Sequence, residues 1–486
     1  MYVVDRQTML SAERLTEEKG TPLYTLMLNA GNAAADYIIK NCDITGKRLL
    51  ILCGKGNNGG DGFVMARRLS LYAEVTVATL FGEPSSTLAK KAFLDMGELI
   101  KVIGIEETII RSKDFDVIID AVFGTGYNGE KPEGKLKELF SAVQKTDFAV
   151  DIPSGLECDT GRGFDTALKT DCTITFGAKK LCQVLPYSAD VCGKVVCLDI
   201  GIDEEALSAS GATIKENERP TFDSRPKTCH KNNFGTALAV TGSYGMPGAA
   251  ILSAKAALKS GVGILKVAAV KENYTALAAS VPEAVLVPYK SGKIKPLEAQ
   301  LKTASALLIG CGLSVDKKTE KTVKSLLEKT EVPTVLDADG INIVAKSIEL
   351  LRKVKAPVVL TPHPAEMARL LGTDVKTVEA NRFKIAADFS AQYGVYLILK
   401  GANTIIAAPD GRLTVNTNGN AGMAKAGSGD MLSGIITALL ANGTEPFKAA
   451  TSAVWLHAAA GDSAKKLYGE RAMLPSDMIK QLSCFF

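Results

Sequence analysis

The sequence predicts an α/β protein of two domains, and three observations support this prediction. Short apolar runs of strand length alternate with helical segments along nearly the whole chain. Glycine-rich turns follow many of these runs, which is typical of α/β proteins that bind ligands in their loops. The chain has 486 residues, too many for one core, and becomes polar and proline-interrupted near its middle. We therefore expect domains at residues 1–213 and 227–486, joined by a linker at 214–226.

Composition narrows the class of protein. The net charge of +4 is small for this length, so a nucleic-acid partner is not expected. The 10 cysteines form no Cys-x-x-Cys pair, which predicts buried thiols in a reducing compartment and neither disulfides nor a zinc site. The 3 histidines are too few for a histidine-rich metal site. Because the N-terminus lacks a signal-peptide layout and no apolar run is long enough to span a bilayer, we expect a cytoplasmic protein without membrane contact.

A glycine-rich loop follows the first clear strand. The strand is Arg48–Cys53, the loop is Gly54-Lys-Gly-Asn-Asn-Gly-Gly-Asp-Gly62, and a helix is predicted from Phe63. The spacing Gly-x-Gly-x-x-Gly is by itself weak support for a dinucleotide site. The next strand carries its acid, Glu74, at the wrong end for such a site, which disfavours an ordinary nucleotide-dependent oxidoreductase. Before this strand, residues 1–40 are predicted to open with one mixed helix.

Polar oxygens follow the next strand-like runs. Asp120, Asp151 and Ser154 stand near predicted strand ends, and Asn58 stands in the first glycine-rich loop. In parallel sheets, ligands bind beyond the carboxyl ends of the strands. Each residue taken singly is equally well explained as a cap or turn residue. Together they form a set of hard oxygen ligands, which suits an alkali or alkaline-earth cation.

The second half repeats the alternation of strands and helices, and its polar residues also collect at strand ends. His363 lies between Pro362 and Pro364, where it is either a turn residue or a substrate contact. Lys400 is either a solvated strand end or a point charge for phosphate oxygens. The pattern indicates a single active-site crevice. The predicted strands are Thr236–Thr241, Gly263–Val270, Ala306–Gly310, Pro333–Leu336, Pro357–Leu360, Val395–Leu399 and Thr404–Ala408.

The glycine-rich stretch at residues 416–440 is the most informative. Its second part, Met431–Leu440, has a helical apolar stripe, so a flexible loop leads into a helix N-terminus, where free N–H groups and the dipole attract anions. Asp430 is then either a surface residue that matches the dipole or a general base beside an anion site. The pattern Gly427-Ser-Gly-Asp430 resembles the anion-hole motif of ribokinase-like enzymes, which activate a substrate hydroxyl with this Asp and phosphorylate it.

Taken together, the two halves resemble the bifunctional NAD(P)H-hydrate repair enzymes. That family joins an NAD(P)H-hydrate epimerase domain to an ADP- or ATP-dependent NAD(P)H-hydrate dehydratase domain. The ordered set of motifs is far more specific than any one of them. These motifs are Gly54 to Gly62, Asp120 to Gly126 and Asp151 to Gly155 in the first half, and Lys227 to Lys231, Gly242 to Ala250, Thr361 to Glu366, Lys400 to Thr404 and Gly427 to Asp430 in the second.

For the first domain, the resemblance implies a Rossmann-like three-layer α/β fold that binds the hydrated nucleotide (NADHX or NADPHX). Asp151 would contact this substrate and is the expected group for proton transfer. Asn58, Asp120 and Ser154 would hold a potassium ion. The remaining substrate contacts implied by the resemblance are Asn57, Asn58, Gly59, Gly60, Asp61, Gly124, Thr125, Gly126, Tyr127, Asn128, Gly129 and Glu130.

For the second domain, the resemblance implies a ribokinase-like three-layer fold with Asp430 as catalytic base. ADP, or ATP, would donate a phosphoryl group to the hydroxyl of the S hydrate with the help of Mg²⁺, and ADP is predicted to be preferred, giving AMP and phosphate. The epimerase would interconvert the R and S hydrates. The resemblance assigns Ala249, Gly312, His363 and Asp430 to the hydrate, and Lys400, Gly401, Ala402, Asn403, Thr404 and Gly429 to the adenine nucleotide.

Three departures from the family pattern stand out: Leu28 in place of Glu, Ala365 in place of Gly, and Lys425-Ala426 in place of Thr-Gly. The last change predicts a long cation near the nucleotide. An alternative function stays open, namely a sugar or vitamin-precursor kinase fused to a non-catalytic nucleotide-binding module. We expect small nucleotides as partners and a homo-oligomer as the assembly.

Overall fold

The computed structural model describes residues 1–486 and divides them into two compact units, Met1–Ile214 and Lys215–Phe486. Each unit is an α/β structure around one main parallel sheet. No helix combines the length and the apolar character that a membrane crossing requires.

The first unit is built on a seven-stranded parallel sheet. Its strand order is β4-β3-β2-β5-β6-β7-β9. The strands up to residue 216 are β1 (Tyr2–Val4), β2 (Arg48–Cys53), β3 (Glu74–Thr79), β4 (Lys101–Ile103), β5 (Val117–Ala121), β6 (Lys145–Val150), β7 (Lys169–Phe176), β8 (Lys179–Lys180), β9 (Lys194–Leu198) and β10 (Ile214–Glu216). The helices are α1 (Arg6–Glu18), α2 (Leu23–Asn41), α3 (Asn57–Leu69), α4 (Thr87–Met96), α5 (Ile105–Arg111), α6 (Gly134–Val143), α7 (Ala189–Cys192) and α8 (Glu204–Ala209).

Alternation along β2 explains the three layers of the first unit. Leu49 and Ile51 lie in a core with helices α2 and α3, whereas Leu50 and Leu52 lie in a second core with α5 and α6. Successive side chains of a strand point to opposite faces, so a strand that is apolar throughout is covered on both sides. The predicted three-layer fold of this unit is confirmed.

The second unit has a larger sheet. Strands β11–β19 lie in the order β13-β12-β11-β14-β15-β16-β17-β18-β19, parallel through β17 and antiparallel for the last two. These strands are β11 (Thr236–Val240), β12 (Ile264–Ala269), β13 (Val285–Pro288), β14 (Ala306–Ile309), β15 (Thr334–Leu336), β16 (Val358–Leu360), β17 (Tyr396–Leu399), β18 (Thr404–Ala407) and β19 (Leu413–Asn416).

Helices cover both faces of this sheet. Alternate strand residues such as Leu308 and Ile398 pack with α9 and α17, and their neighbours Leu307 and Leu397 are fully buried as well. The helices are α9 (Pro247–Lys259), α10 (Tyr274–Ser280), α11 (Lys295–Leu301), α12 (Lys317–Lys329), α13 (Asp339–Val344), α14 (Pro364–Leu371), α15 (Val375–Ala380), α16 (Arg382–Tyr393), α17 (Ser428–Ala441), α18 (Pro446–Tyr468) and α19 (Pro475–Gln481). The short 3₁₀ segments are Ser112–Asp114, Leu181–Val184, Lys231–Phe234, Lys271–Asn273, Ala345–Lys353, Ala421–Met423 and Leu482–Cys484.

The structure corrects several element boundaries. Residues 1–40 form a strand and two helices, since Gly20 (φ +107°) and Pro22 interrupt the predicted single helix. Helix α3 begins at Asn57, inside the predicted loop, because its glycines allow close packing: a Cβ at Gly60 would lie 2.6 Å from the Met27 methyl carbon. Helix α17 likewise begins at Ser428 and includes Gly429 and Asp430. Asn416 ends β19 instead of lying in a loop.

The contact between α17 and α9 depends on a glycine. A Cβ at Gly434 would overlap the backbone oxygen of Ser253 in α9, so only glycine fits between the two helices as they stand. Nearly every residue of α17 is buried, which makes this helix central to the core of the second unit.

We therefore expect Gly434→Ala to lower the free energy of unfolding of the second unit by about 1–3 kcal/mol, because the two helices must move apart. The fluorescence of Trp455, the one tryptophan of the chain, reports this unfolding during urea titration. Gly248→Ala in α9 is the matched control, since its Cβ would have no neighbour within 4 Å. An equal midpoint for both variants would contradict the prediction.

Candidate active sites

The first candidate site forms around Asp151, directly after β6. Its backbone is left-handed (φ +64°), which is unusual for a residue with a side chain. Neighbouring groups fix this conformation: the Asp151 N–H donates to the Ile174 oxygen (2.7 Å), and the Gln183 amide donates to the Asp151 oxygen (2.6 Å). Such strained positions persist only where the surroundings over-determine them, and they concentrate at functional sites.

A buried lysine holds the Asp151 carboxylate in place. Lys180 Nζ lies 2.7 Å from Asp151 Oδ1 and also donates to Thr175 Oγ1 (2.8 Å) and the Phe176 oxygen (3.0 Å). Thr175 Oγ1 donates to the same Asp151 oxygen at 3.0 Å. Burial alone would lower the pKa of Lys180, but Asp151 raises it above its usual value, so the ammonium stays charged.

A cleft of about 790 Å³ opens beside Asp151. Its walls contain many of the predicted substrate contacts: Asn57, Asn58, Asp61, Gly124, Thr125, Gly126, Tyr127, Asn128 and Asp151. The other predicted contacts lie off its walls. Gly59 and Gly60 are buried inside α3, Gly129 packs against Arg162 and Glu157, and Glu130 is exposed.

Two further wall residues were missed by sequence reasoning, Glu13 and Lys180. Glu13 lies on α1 and carries no motif, and Lys180 is one of two adjacent lysines after β7, so no local pattern marked either. Burial raises the pKa of Glu13 to about 6, with Lys180 lowering it and Asp151 raising it. Burial also raises the pKa of Asp61 well above its usual value.

Of the predicted cation ligands, Asn58 lies in the wall of this cleft, and Asp120 and Ser154 are fully buried. Asp120 is fully buried at the end of β5, where its carboxylate accepts hydrogen bonds from the Ser154 N–H (2.7 Å) and the Ser154 hydroxyl (2.6 Å). Both polar atoms of the Asn58 side chain are buried without a hydrogen-bond partner. Burial raises the pKa of Asp120 to about 6 despite the bonds from Ser154. The unpartnered carbonyl oxygen of Asn58 and the carboxylate of Asp120 are of the donor type that hard cations prefer.

The second candidate site forms around Asp337, directly after β15. Its carboxylate accepts hydrogen bonds from Lys400 Nζ (2.8 Å), Thr361 Oγ1 (2.8 Å) and Ser433 Oγ (2.9 Å), and the Cys311 thiol lies 3.6 Å away. Burial alone would raise the pKa of Asp337, but Lys400 and the two hydroxyls bring it below its usual value. Asp337 is therefore an ionised anchor for four different elements of the chain.

Asp430 stands in the first turn of α17, next to this anchor. Its carboxylate, that of Asp337 and the Cys311 thiol lie within 4.8 Å of one another. Burial and the charge of Asp337 raise the pKa of Asp430 to about 6, which is suited to a group that takes up a proton near neutral pH. The N-cap residue of this helix, Gly427, lies in the left-handed region (φ +96°).

Lys400 and His363 follow the ends of β17 and β16, near Asp337. The Lys400 ammonium is 3.9 Å from the Glu366 carboxylate, and Asp337 and Glu366 raise the pKa of Lys400 against the effect of burial. His363 caps α14: its Nδ1 accepts the N–H groups of Ala365 (3.1 Å) and Glu366 (3.3 Å). Its exposed ring edge remains available at the site.

The other predicted residues surround this centre in two groups. Gly312 lies against the start of α9, where a Cβ at Gly312 would be 2.9 Å from the Ala249 side chain. Gly401, Ala402 and Asn403 form the turn between β17 and β18, and Thr404 begins β18. Gly429 lies next to Lys400. The Lys425 ammonium donates hydrogen bonds to the backbone oxygens of Arg471 and Met473, both at 2.7 Å. It is therefore not the free cation near the nucleotide that the sequence predicts.

The pair Asp151–Lys180 gives a stability prediction. Lys180→Met removes the cation and leaves the Asp151 carboxylate buried and partly unpaired, so we expect the first unit to lose about 3–5 kcal/mol of unfolding free energy. Hydrogen exchange of the peptides that contain β6 and β7 measures this loss. Lys131→Met, which breaks an exposed pair with Asp165, is the control and should cost less than about 1 kcal/mol. Unchanged exchange in Lys180→Met would refute the structural role of the pair.

Comparison with known proteins agrees with this arrangement. The family model described as YjeF-related protein N-terminus matches residues 23–182, and the one described as NAD(P)H-hydrate dehydratase matches residues 237–483. The second unit is similar to the crystal structure of a ribokinase-like superfamily protein from Enterococcus faecalis, with a TM-score of 0.50 and 29% identity over 54% of this chain and 90% of that chain.

Two curated relatives match along nearly the full length. The bifunctional NAD(P)H-hydrate repair enzyme of Moorella thermoacetica is 38% identical over 99% of this chain and 95% of its own. The enzyme of the same name from Escherichia coli is 33% identical over 95% of this chain and 89% of its own. With two site-bearing units in the same order and both halves matched, the chain belongs to the family of bifunctional NAD(P)H-hydrate repair enzymes.

Proposed function

We propose that this chain repairs hydrated NAD(P)H. The first domain, residues 1–213, interconverts the R and S hydrates, and the second, residues 227–486, dehydrates the S hydrate to NAD(P)H with a nucleotide as phosphoryl donor; residues 214–226 link them. The observation that carries the proposal is Asp430, a half-buried carboxyl group with a pKa of about 6 at a helix N-terminus in a family-typical loop. A cytoplasmic homo-oligomer is our prediction for the assembly.

The dehydration follows from the position of Asp430. Hydroxide is a poor leaving group, whereas phosphate is a good one. Asp430 takes the proton of the hydrate hydroxyl, and the hydroxyl oxygen attacks the terminal phosphoryl group of the nucleotide. The free N–H groups at the start of α17 stabilise the charge on that phosphoryl group. The phosphate then leaves with help from the ring nitrogen lone pair, and loss of a proton from the adjacent ring carbon regenerates the reduced nicotinamide. Ala249, Gly312 and His363 hold the hydrate beside Asp430.

The nucleotide is assigned to the turn between β17 and β18. Residues 400–404 and Gly429 line its site, and the exposed backbone of this turn leaves room for a ligand. Mg²⁺ accompanies the phosphates, as is usual for phosphoryl transfer. We propose ADP as the preferred donor, giving AMP and orthophosphate; parallel assays with ADP and ATP decide between the two.

The dehydratase has a predicted pH dependence. Asp430 acts as a base only when ionised, so the rate should fall as the pH drops below about 6 and level off above it. Asp430→Asn should lower the rate by about 10²–10⁴ above pH 6 and by less at lower pH, where Asp430 of the wild type is itself protonated. Recovery of NADH absorbance from the S hydrate measures both effects, and Asp388→Asn, on the exposed face of α16, is the control. A variant at position 430 that keeps the wild-type rate would remove Asp430 as the base.

The same assay separates the proposal from the plain kinase. A dehydratase releases orthophosphate and NADH in equal amounts, whereas a sugar or vitamin-precursor kinase accumulates a stable phosphorylated product. Such a product, without recovery of NADH from the hydrate, would favour the kinase.

In the first domain, we propose that Asp151 contacts the hydrate and transfers a proton. The predicted contacts Asn57 to Asp61 and Gly124 to Glu130 complete the site. Potassium, held by Asn58, Asp120 and Ser154, would offset the buried charge of Asp120 and fix the backbone between β5 and Ser154. The unpartnered Asn58 side chain is the observation that supports this ion.

We expect epimer exchange, but not dehydration, to depend on potassium. Replacing K⁺ by tetramethylammonium, which is too large for the site, should slow exchange at least about tenfold, and Asn58→Ala should raise the K⁺ concentration needed for half of the full rate. Chiral chromatography of the two hydrates measures exchange. Exchange that is equally fast in both salts would argue against a potassium site.

A further inference from the structure

Glu13 is a carboxyl group without a structural task. It lies on α1, half-buried, with its side chain in the wall of the cleft beside Asp151. It forms neither a hydrogen bond nor an ion pair with another group of the chain, although Lys180 is close enough to act on it electrostatically. Because this carboxyl group lines the cleft and has no partner within the chain, a ligand bound in the cleft can pair with it.

The charged groups around the cleft explain why Glu13 stays unpaired. Lys180 is fully engaged by Asp151, Thr175 and Phe176. The other charged wall residues are Arg6, which is exposed, Lys55, also exposed, and Asp61. Three carboxyl groups thus face one buried ammonium. Burial raises the pKa of Glu13 to about 6, so this group can give or take a proton near neutral pH.

Epimerisation by loss and return of water uses two groups that can give or take a proton. A ring carbon that bears a hydroxyl beside the nitrogen inverts when the C–O bond breaks and forms again on the other face. With the ring nitrogen lone pair pushing, an acid protonates the hydroxyl and water leaves, which gives a planar iminium. Water then adds to the opposite face while a base takes its proton. The balance is one water lost, one gained and no net proton change.

We propose that Glu13 is the second catalytic carboxyl group of the epimerase site and that it works on the ring face opposite Asp151. In one direction Glu13 protonates the leaving hydroxyl and Asp151 takes the proton of the incoming water, and in the other direction the roles are exchanged. The excess of carboxyl groups over the single buried lysine also stabilises the positive iminium. This inference rests on the proposed epimerase activity of the first domain.

Full-length protein in ¹⁸O-water tests the proposal with each separated hydrate as substrate. In the wild type, every inversion should place one ¹⁸O in the hydroxyl. Glu13→Gln is isosteric and breaks no hydrogen bond, and it should slow inversion by about 10²–10⁴. Asp151 still serves its own face in this variant, so ¹⁸O should continue to enter the starting epimer without inversion. Glu13→Asp should restore part of the inversion, and Glu18→Gln, on the exposed end of α1, should match the wild type.

The outcomes separate the inference from the proposed function. A wild type that inverts no faster than the uncatalysed hydrate would overturn the epimerase assignment itself. Inversion by the wild type without ¹⁸O uptake would overturn the loss and return of water. Inversion by Glu13→Gln within a few-fold of the wild type would overturn the role of Glu13. Loss of both inversion and ¹⁸O exchange in Glu13→Gln, with no recovery in Glu13→Asp, would assign Glu13 a structural role and also overturn the proposal.

Discussion

Both units depend on a buried aspartate–lysine pair at the end of a central parallel strand. The Oδ1–Nζ distance is 2.7 Å for Asp151–Lys180 and 2.8 Å for Asp337–Lys400. Burying either charge alone would cost several kcal/mol, so each pair ties its strand end to a distant segment of the chain. The cost is met by hydroxyl and backbone hydrogen bonds, from Thr175 in one unit and from Thr361 and Ser433 in the other.

A second carboxyl group, which has no lysine partner of its own, lies beside each pair. The paired aspartate of the second unit has a lowered pKa, whereas Asp430 beside it lacks a lysine of its own and has a pKa of about 6. In the first unit Glu13 stands in the same relation to Asp151 and also has a pKa of about 6. Burial is the main cause of the raised pKa in both cases. The charge of Asp337 adds to it for Asp430, whereas for Glu13 the lowering by Lys180 exceeds the raising by Asp151.

The sequence predicted the strands well and the helix starts poorly. Apolar runs such as Arg48–Cys53 are buried on both faces, so the strand can be recognised from the residues of the run alone. Glycines normally indicate loops, but those of α3 and α17 lie inside helices because neighbouring chain segments come too close for a side chain. Asp430 and Asp151 could be proposed from adjacent glycine and proline motifs. Glu13 and Lys180 could not, because their importance comes from long-range contacts that no local pattern encodes.

Gly429, directly before Asp430, connects the sequence motif with the packing around the ion pair. A Cβ at Gly429 would lie 3.3 Å from the Lys400 ammonium and 3.7 Å from the Asp337 carboxylate. A Cβ alone would require the end of the Lys400 side chain to shift by a few tenths of an ångström, and a bulkier side chain would separate α17 from the ion pair. Ser433, one turn later, donates a hydrogen bond to Asp337, so this separation would break that bond. It would also reduce the burial and the charge repulsion from Asp337 that raise the pKa of Asp430. The glycine pattern that predicts an anion site is thus also the condition for a helix to approach a buried charge pair.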